Sequence, residues 1–282
     1  MSLAVGILVG TTLLTILGLD YLSTRIIQPE PRPVEPTVAG LGLDYEDLRI
    51  PSGDRELAGW LIQPPEAQPF EPLVLVAHGW SANHSTVLAL AKPLAESGQD
   101  VLLFDARGHG MNAPERYVSI RDFRDDLIAV ARYAATRFPD RQLVVVGHSM
   151  GGSAGILAAA EGAPIDGLVL VAAPSDIVRI TAEYLVDHGL PGHLIVNVFR
   201  PFWWRHLGGT FRPLTPSRRI RELDIPLLLI HPEHDTRVGR DHSERLADAA
   251  DVDYRLIPDR EHTDVLEDPL TLRFIFEFLE DV

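Results

Sequence analysis

Five short runs, apolar at every position, constrain this chain more than any other feature. Leu73 to Ala77 reads LVLVA, Val101 to Phe104 VLLF, Leu143 to Val146 LVVV, Leu168 to Ala172 LVLVA and Leu227 to Ile230 LLLI. A strand with one wet face alternates apolar and polar residues. A strand apolar throughout needs cover on both faces, which is the condition of a parallel strand between two layers of helix. Amphipathic stretches separate the runs. Tyr117 to Phe138 spaces Ile120, Phe123, Leu127, Ile128, Ala131 and Ala135 along one helical face, and Asp268 to Leu279 groups Leu272, Phe276 and Leu279 with Phe274 and Phe278 beside them. Leu48 to Ile62 reads as a two-stranded opening turned at Ser52-Gly53-Asp54, and Tyr254 to Ile257 as one more strand. The alternation predicts a doubly wound, mostly parallel α/β sheet.

Composition narrows the function classes. The chain has 282 residues, 46% of them hydrophobic, enough for a substantial core. Its 40 Asp and Glu outnumber 25 Lys and Arg, and a net charge of −15 argues against nucleic acid as a partner. There is no cysteine, which excludes thiolate catalysis, disulfides, zinc–cysteine sites and a lipid-modified N-terminal cysteine.

The first residues read differently from the rest. Ser2 to Leu19 carries no charged side chain, and about 20 helical residues cover the roughly 30 Å hydrocarbon core of a bilayer. Residues 1–22 are expected to form an uncleaved single-pass anchor, with Asp20, Tyr21 and Arg25 at its interface. A cleaved secretory signal is the alternative, although no basic n-region or small-residue cleavage site stands out. A buried helix of the soluble domain is the third option. Residues 23–44 read as a proline-rich spacer, with QPEPRPVEP from Gln28 to Pro36, and residues 45–282 as the folded domain. Arg25 and Arg32 follow the span and no basic residue precedes it, which leans the domain towards the cytoplasm and leaves the side open.

Gly147-His148-Ser149-Met150-Gly151 follows the LVVV run directly and opens the small-residue stretch GGSAGILAAA. This is G-x-S-x-G in the setting that its chemistry requires: strand, tight turn, helix. A nucleophilic serine must stand on a sharp turn with its hydroxyl outward, so the neighbours on the turn must lack bulk. The helix that follows aims free N–H groups at the place where negative charge develops. His78-Gly79-Trp80 ends the first LVLVA run, where a second N–H could complete an oxyanion hole. By position the two donors are Trp80 and Met150.

Chains with such an elbow place the acid next and the histidine last. The LLLI strand runs into His231-Pro232-Glu233-His234-Asp235, and His262 lies between the YRLI strand and the final helix. Asp235 would orient His262, and His262 would take the proton of Ser149. Asp176, at the end of LVLVAAPSD, is the rival acid, while Glu233 and Asp264 read as solvated. His231, His234, Asp235 and His242 could suggest a metal cluster, but a strand end and a loop do not present them together, so neither metal nor cofactor is expected.

From Tyr45 to Val282 the sequence resembles the α/β-hydrolase superfamily in its serine esterase/lipase-like branch. The resemblance rests on HGW at 78–80, DARGHG at 105–110, GHSMGG at 147–152, the strand end at Asp235 and the loop at His262. It departs where the family's acid loop commonly has a glycine before the acid, since Pro232-Glu233-His234 stands here. A serine at the elbow sets it apart from the dehalogenase and epoxide-hydrolase branches. The resemblance implies a small cap or lid at about 177–223 and cleavage of a small-molecule or lipid acyl ester through an acyl-enzyme. A thioesterase, an acyltransferase or an amidase would use the same triad, and a membrane-tethered binding protein without turnover is the non-catalytic alternative. Within the cap, Gly192 to Arg221 has no Asp or Glu, yet Arg200, Arg205, Arg212, Arg218, Arg219 and Arg221 alternate with Phe199, Phe202, Trp203, Trp204 and Phe211. Such a block suits a lid at a membrane surface or a pocket wall near an anionic group.

Overall fold

The computed structural model describes residues 3–64, 71–206 and 210–282. A first helix, α1 (Leu3–Ile26), precedes eight strands: β1 (Tyr45–Ser52), β2 (Arg55–Ile62), β3 (Leu73–Ala77), β4 (Val101–Phe104), β5 (Leu143–His148), β6 (Gly167–Val171), β7 (Leu227–Pro232) and β8 (Asp253–Ile257). They form one sheet in the order β1-β2-β4-β3-β5-β6-β7-β8. The β1–β2 hairpin and the β2–β4 pair are antiparallel, and every other pairing is parallel. The remaining helices are α2 (His84–Glu96), α3 (Ile120–Arg137), α4 (Met150–Ala160), α5 (Ile177–Asp187), α6 (Gly192–His206), α7 (Pro216–Arg219), α8 (Arg240–Ala247) and α9 (Pro269–Asp281).

The all-apolar runs are buried on both sides, as parallel strands of this kind must be. Leu73, Leu75, Leu168 and Leu170 face Phe123, Leu127 and Leu157 of α3 and α4. Val74, Val76, Val169 and Val171 face Leu90 and Leu94 of α2 and Ile275 and Leu279 of α9. In β3 and β6, leucine takes one face and valine the other. Because both faces are apolar, side-chain size rather than polarity selects which way these strands point, through the close packing of the two layers. Each such side chain, fully buried, contributes about 1.5–3 kcal/mol. Helix α3 starts at Ile120 because Ser119 and Asp122 form a reciprocal capping box.

Helix α1 is 24 residues long and runs past residue 22 to Ile26. Its apolar window is not buried in the domain, so it is no core helix. At 1.5 Å per residue it measures about 36 Å, long enough to cross a bilayer. Only its last turns pack. Ser23 and Thr24 are buried, Trp203 Nε1 donates to the Ser23 carbonyl at 2.9 Å, and Arg205 pairs with Asp20 at 2.6 Å. Leu19, Ile26 and Ile27 complete a third apolar cluster with Ala182, Leu185, Val196, Phe199 and Trp203.

The proline-rich stretch is not a free spacer. An extended chain without a sheet partner leaves its polar groups open, and here the domain satisfies several of them. The Ile27 carbonyl accepts Val118 N–H at 2.8 Å, Glu30 N–H donates to Ser81 Oγ at 3.0 Å, and Asn83 Nδ2 donates to the Pro33 carbonyl at 3.1 Å. Val38 is buried in the layer with α2 and α9. Between β6 and β7 the chain departs from the sheet to form α5, α6 and α7; residues 207–209 of that insertion lie outside the described residues.

Candidate active site

Strand β5 ends at His148 and α4 begins at Met150, which leaves Ser149 alone at the turn with φ 53° and ψ −120°. A non-glycine residue held there costs about 1–3 kcal/mol, so its surroundings must over-determine it. Ser149 N–H donates to the Val171 carbonyl at 2.8 Å, and the Ser149 carbonyl accepts Ser153 N–H at 3.2 Å. The glycines are obligatory. A Cβ on Gly151 would collide with the Ala77 carbonyl oxygen, and one on Gly147 would stand 2.5 Å from Gly152 Cα. On Gly152 it would meet the Gly147 carbonyl at 2.8 Å. Helix and strand meet backbone to backbone, and Ser149 is left partly exposed at the crest.

At the end of β7, Asp235 turns its carboxylate inward. Its Oδ1 accepts Arg237 N–H at 2.9 Å and Val238 N–H at 2.8 Å, and its Oδ2 lies 2.7 Å from His262 Nδ1. An ionised carboxylate at Nδ1 keeps the proton on that nitrogen and leaves the Nε2 lone pair basic. Burial pushes the Asp235 carboxyl up, but the His262 hydrogen bond and the two N–H donors outweigh it and hold it below the usual carboxylate range. The two loops are fastened to each other, since His234 N–H donates to the Arg260 carbonyl and Glu233 N–H to the Ile257 carbonyl, both at 2.9 Å.

His148, inside the elbow motif, joins this pair to the turn. Its Nε2 donates to the His262 carbonyl at 2.8 Å, and the two rings lie 4.8 Å apart. Burial, with His262 close by, pushes its pKa down to about 3, so it stays a neutral, fixed donor. The nucleophile's own neighbour thus holds the histidine loop. Sequence reasoning passed over it as a variable position.

The third part is the loop after β3. A Cβ on Gly79 would stand 3.0 Å from Ser149 Cβ, so only glycine lets this loop approach the serine. The Trp80 ring packs edge-on to His109 at 5.7 Å and beside Phe123 at 6.3 Å. The loop is braced by DARGHG. His78 Nδ1 donates to the Gly79 carbonyl at 2.8 Å while its Nε2 accepts Ala106 N–H at 3.0 Å. His109 Nε2 accepts Ser81 N–H at 3.2 Å. Asp105 accepts N–H groups of His84 and Met111, each at 2.8 Å, and the His84 ring at 3.0 Å. Burial drives the His109 pKa down to about 3 and lowers that of His78. Both are neutral braces. Their signal in the sequence was a histidine beside glycine in two separate motifs.

Other candidates go elsewhere. Asp176 caps α5, its Oδ1 accepting Val178 and Arg179 N–H, whereas the partner of His262 is Asp235. His231 bonds Ser243 Oγ at 2.7 Å, and His242 bonds Ser175 Oγ and Glu183 Oε2, each at 2.9 Å. His231, His234, Asp235 and His242 therefore face different partners. Among the described residues Glu233, His234 and Asp259 do bring ligand atoms within 4.8 Å of one another, but all three are exposed, where acidic groups gather without an ion.

Residues 68–186 match the family described as serine aminopeptidase, S33. The chain is similar to an uncharacterized protein, YfhR, of Escherichia coli O157:H7, with 29% identity over 227 residues, 75% of this chain and 71% of that one. A monoglyceride lipase of Rattus norvegicus is 30% identical over 135 residues, 46% of this chain and 44% of that protein. Among solved structures, the Pyrococcus furiosus esterase Pf2001 superposes with a TM-score of 0.71 at 23% identity, covering 90% of this chain and 97% of that one. A Mycobacterium smegmatis proline iminopeptidase superposes with a TM-score of 0.61 at 21% identity, covering 84% and 98%. At these identities the shared property is the fold.

Proposed function

We propose that this chain, a member of the α/β-hydrolase superfamily, cleaves acyl esters through a serine acyl-enzyme, with Ser149 as nucleophile, His262 as base and Asp235 as its orienter. The observation that carries the reading is the 2.7 Å bond from His262 Nδ1 to the buried Asp235 carboxylate, with the His262 loop tied to the elbow by His148. Ser149 Oγ attacks the ester carbonyl as its proton passes to His262 Nε2. The oxyanion is received by the backbone N–H groups of Trp80 and Met150, each such donor worth about 3 kcal/mol. The C–O bond to the alcohol then breaks, and the leaving oxygen takes the proton from Nε2. Water repeats the sequence on the acyl-enzyme and releases the acid. Asp235 remains ionised throughout and stabilises the imidazolium.

Ester rather than peptide chemistry is favoured by the printed activities of the lipase and the esterase among its relatives. The family description and the iminopeptidase neighbour favour an amide. An aminopeptidase must hold a substrate ammonium, however, and within the insertion the stretch from Gly192 to Arg221 has six arginines and no carboxylate, while Glu183 of α5 is engaged by Arg179 and His242. We further propose that α1 is a single-pass anchor and that the insertion acts as a cap held beside it, on the strength of the Trp203–Ser23 and Arg205–Asp20 contacts. A substrate taken from a lipid surface suits that placement.

The test uses the full chain in neutral detergent with p-nitrophenyl esters of graded acyl length. Turnover with a burst, abolished by Ser149→Ala, is the expected result, and the chain-length optimum sizes the pocket. Labelling of Ser149 by a fluorophosphonate without ester turnover would retain the nucleophile and move the substrate to a thioester or amide. A folded protein that takes no label would overturn the catalytic reading.

A further inference from the structure

The insertion between β6 and β7 lines an open cavity of about 370 Å3 whose walls do not include the elbow residues, within the roughly 300–1,000 Å3 of small-molecule sites. Its lining combines apolar Val178, Ala182, Val196 and Phe211 with cationic Arg179, Arg200, Arg212 and Arg218. Arg179 is engaged by Glu183 at 2.6 Å and Asp241 at 2.5 Å. Among the described residues, Arg200, Arg212 and Arg218 have no ion-pair partner, and all three are exposed. Arg200 lies over the Phe211 ring at 5.2 Å, which orients its guanidinium at the cavity. The one carboxylate in the wall, Asp176, already accepts two backbone N–H groups.

Many arginines elsewhere are paired with carboxylates, as Arg107 with Asp126, Arg137 with Glu46, Arg219 with Glu161 and Arg260 with Asp268, whereas Arg200, Arg212 and Arg218 share one cavity wall without such a pair among the described residues. Three unneutralised guanidiniums around one cavity repel each other unless an anion joins them. A carboxylate brings one charge. A phosphate monoester brings about −1.5 to −2 and three acceptor oxygens, matched by the planar donor fork of arginine.

We propose that this cavity binds a phosphate-bearing group, with Arg200, Arg212 and Arg218 as its ligands and the apolar lining residues Val178, Val196 and Phe211 beside an attached hydrocarbon. The site stands one loop from the elbow: Ser153, one helical turn beyond Ser149, donates to the Pro174 carbonyl at 2.7 Å, two residues before Asp176. It goes beyond the ester-hydrolase reading, and binding is measurable without turnover.

The experiment uses full-length Ser149→Ala protein in neutral detergent, so that no ligand is consumed, and isothermal titration calorimetry with three probes. These are inorganic phosphate, a lauroyl glycerol phosphate and the uncharged monolauroyl glycerol. The phosphorylated lipid is expected to bind at least tenfold tighter than the uncharged one. Arg212→Gln/Arg218→Gln is expected to weaken it at least tenfold, Arg200→Gln to do so in part, and Arg221→Gln, exposed and outside the cavity, to leave it unchanged. Binding of inorganic phosphate as well, lost in the same variants, identifies the phosphate itself as the ligand. Binding of the lipid alone identifies an amphiphile's head group. Equal binding of charged and uncharged lipids, or no loss in either variant with the unfolding temperature preserved, overturns the proposal. Loss of ester turnover in the wild type would leave these binding outcomes untouched, so the two readings fail separately.

Discussion

Two of the histidines in this molecule turn one ring nitrogen to a carboxylate and lie in regions that also carry a serine, and the backbone around those serines differs. In the first, His262 turns Nδ1 to Asp235, and Ser149 sits at a strained turn, partly exposed. In the second, His242 turns Nε2 to Glu183 and Nδ1 to Ser175. There Nδ1 also accepts Ser175 N–H at 3.1 Å, so its lone pair is already committed. Ser175 and His242 are wholly buried, with no route for a carbonyl carbon. The second arrangement is a fastener instead. It binds α5, through Glu183, to the end of β6 and to α8. Residue types at hydrogen-bond distance are therefore a poor criterion for catalysis, and the backbone that lifts a hydroxyl out of the core is a good one.

The contrast can be broken by substitution. Ser149→Ala is expected to lower kcat by about 10⁶-fold. Ser175→Ala should leave kcat within about threefold and cost about 1–2 kcal/mol of stability, read by denaturant unfolding. Equal kinetic damage from both would erase the distinction. Next in size, Asp235→Asn should cost about 10⁴-fold in kcat by releasing the wrong tautomer of His262, whereas Glu183→Gln should cost less than about tenfold. A smaller loss, about 10- to 100-fold in kcat with KM unchanged, is expected for His148→Phe, because the His262 loop then loses its tie to the elbow. A purely structural role would instead move kcat and KM together with the unfolding temperature.

The smallest effect sharpens the same picture through pH. His109 and His148 are held neutral to about pH 3 and His231 to about pH 4, with burial the leading cause in each. In the unfolded chain they protonate near 6.5, so between these values the unfolded state binds more protons and stability falls as pH is lowered. Each histidine contributes a slope of at most about 1.4 kcal/mol per pH unit. Asp105 and Asp235, held below the usual carboxylate range, add a further loss below about pH 4. Stability measured from pH 7.5 to 4.5 should decline, and His231→Gln should flatten the decline. An unchanged slope in that variant would show that His231 is charged in the fold.

What the sequence revealed follows the range of the interactions. The strands at LVLVA, VLLF, LVVV and LLLI lie where their all-apolar runs put them, because burial on both faces is written in each segment alone. The elbow was legible for the same reason, its three glycines and serine lying within six residues. Asp235 and His262 were found by position relative to strand ends, and the structure brings those two together. The brace of the Gly79 loop was not legible, since His78 to Ala106, His84 to Asp105 and Ser81 to His109 are contacts 21 to 28 residues apart. Helix α1 was expected to span residues 1–22, from its charge-free run and the thickness of a bilayer, and it runs on to Ile26. Its last turn meets Trp203, some 180 residues away, through the Ser23 carbonyl. Helix α2 was obscured by Pro93 within it. The prolines from Gln28 to Pro36 implied a stiff spacer, and nothing local foretold that Ser81 and Asn83 would hold it down.

That lacing changes the arithmetic of encounter. With α1 in a bilayer, the chain leaves the surface, packs on the insertion within one turn, and is pinned at Ser81 and Asn83 before it reaches the sheet. No slack remains for the domain to tumble. On the proposed reading, a catalyst tethered so short would search an area and not a volume, meeting its substrate by lateral diffusion. Its rate then scales with the mole fraction of substrate in the surface, and diluting the lipid with inert neighbours slows it while the bulk concentration stays constant.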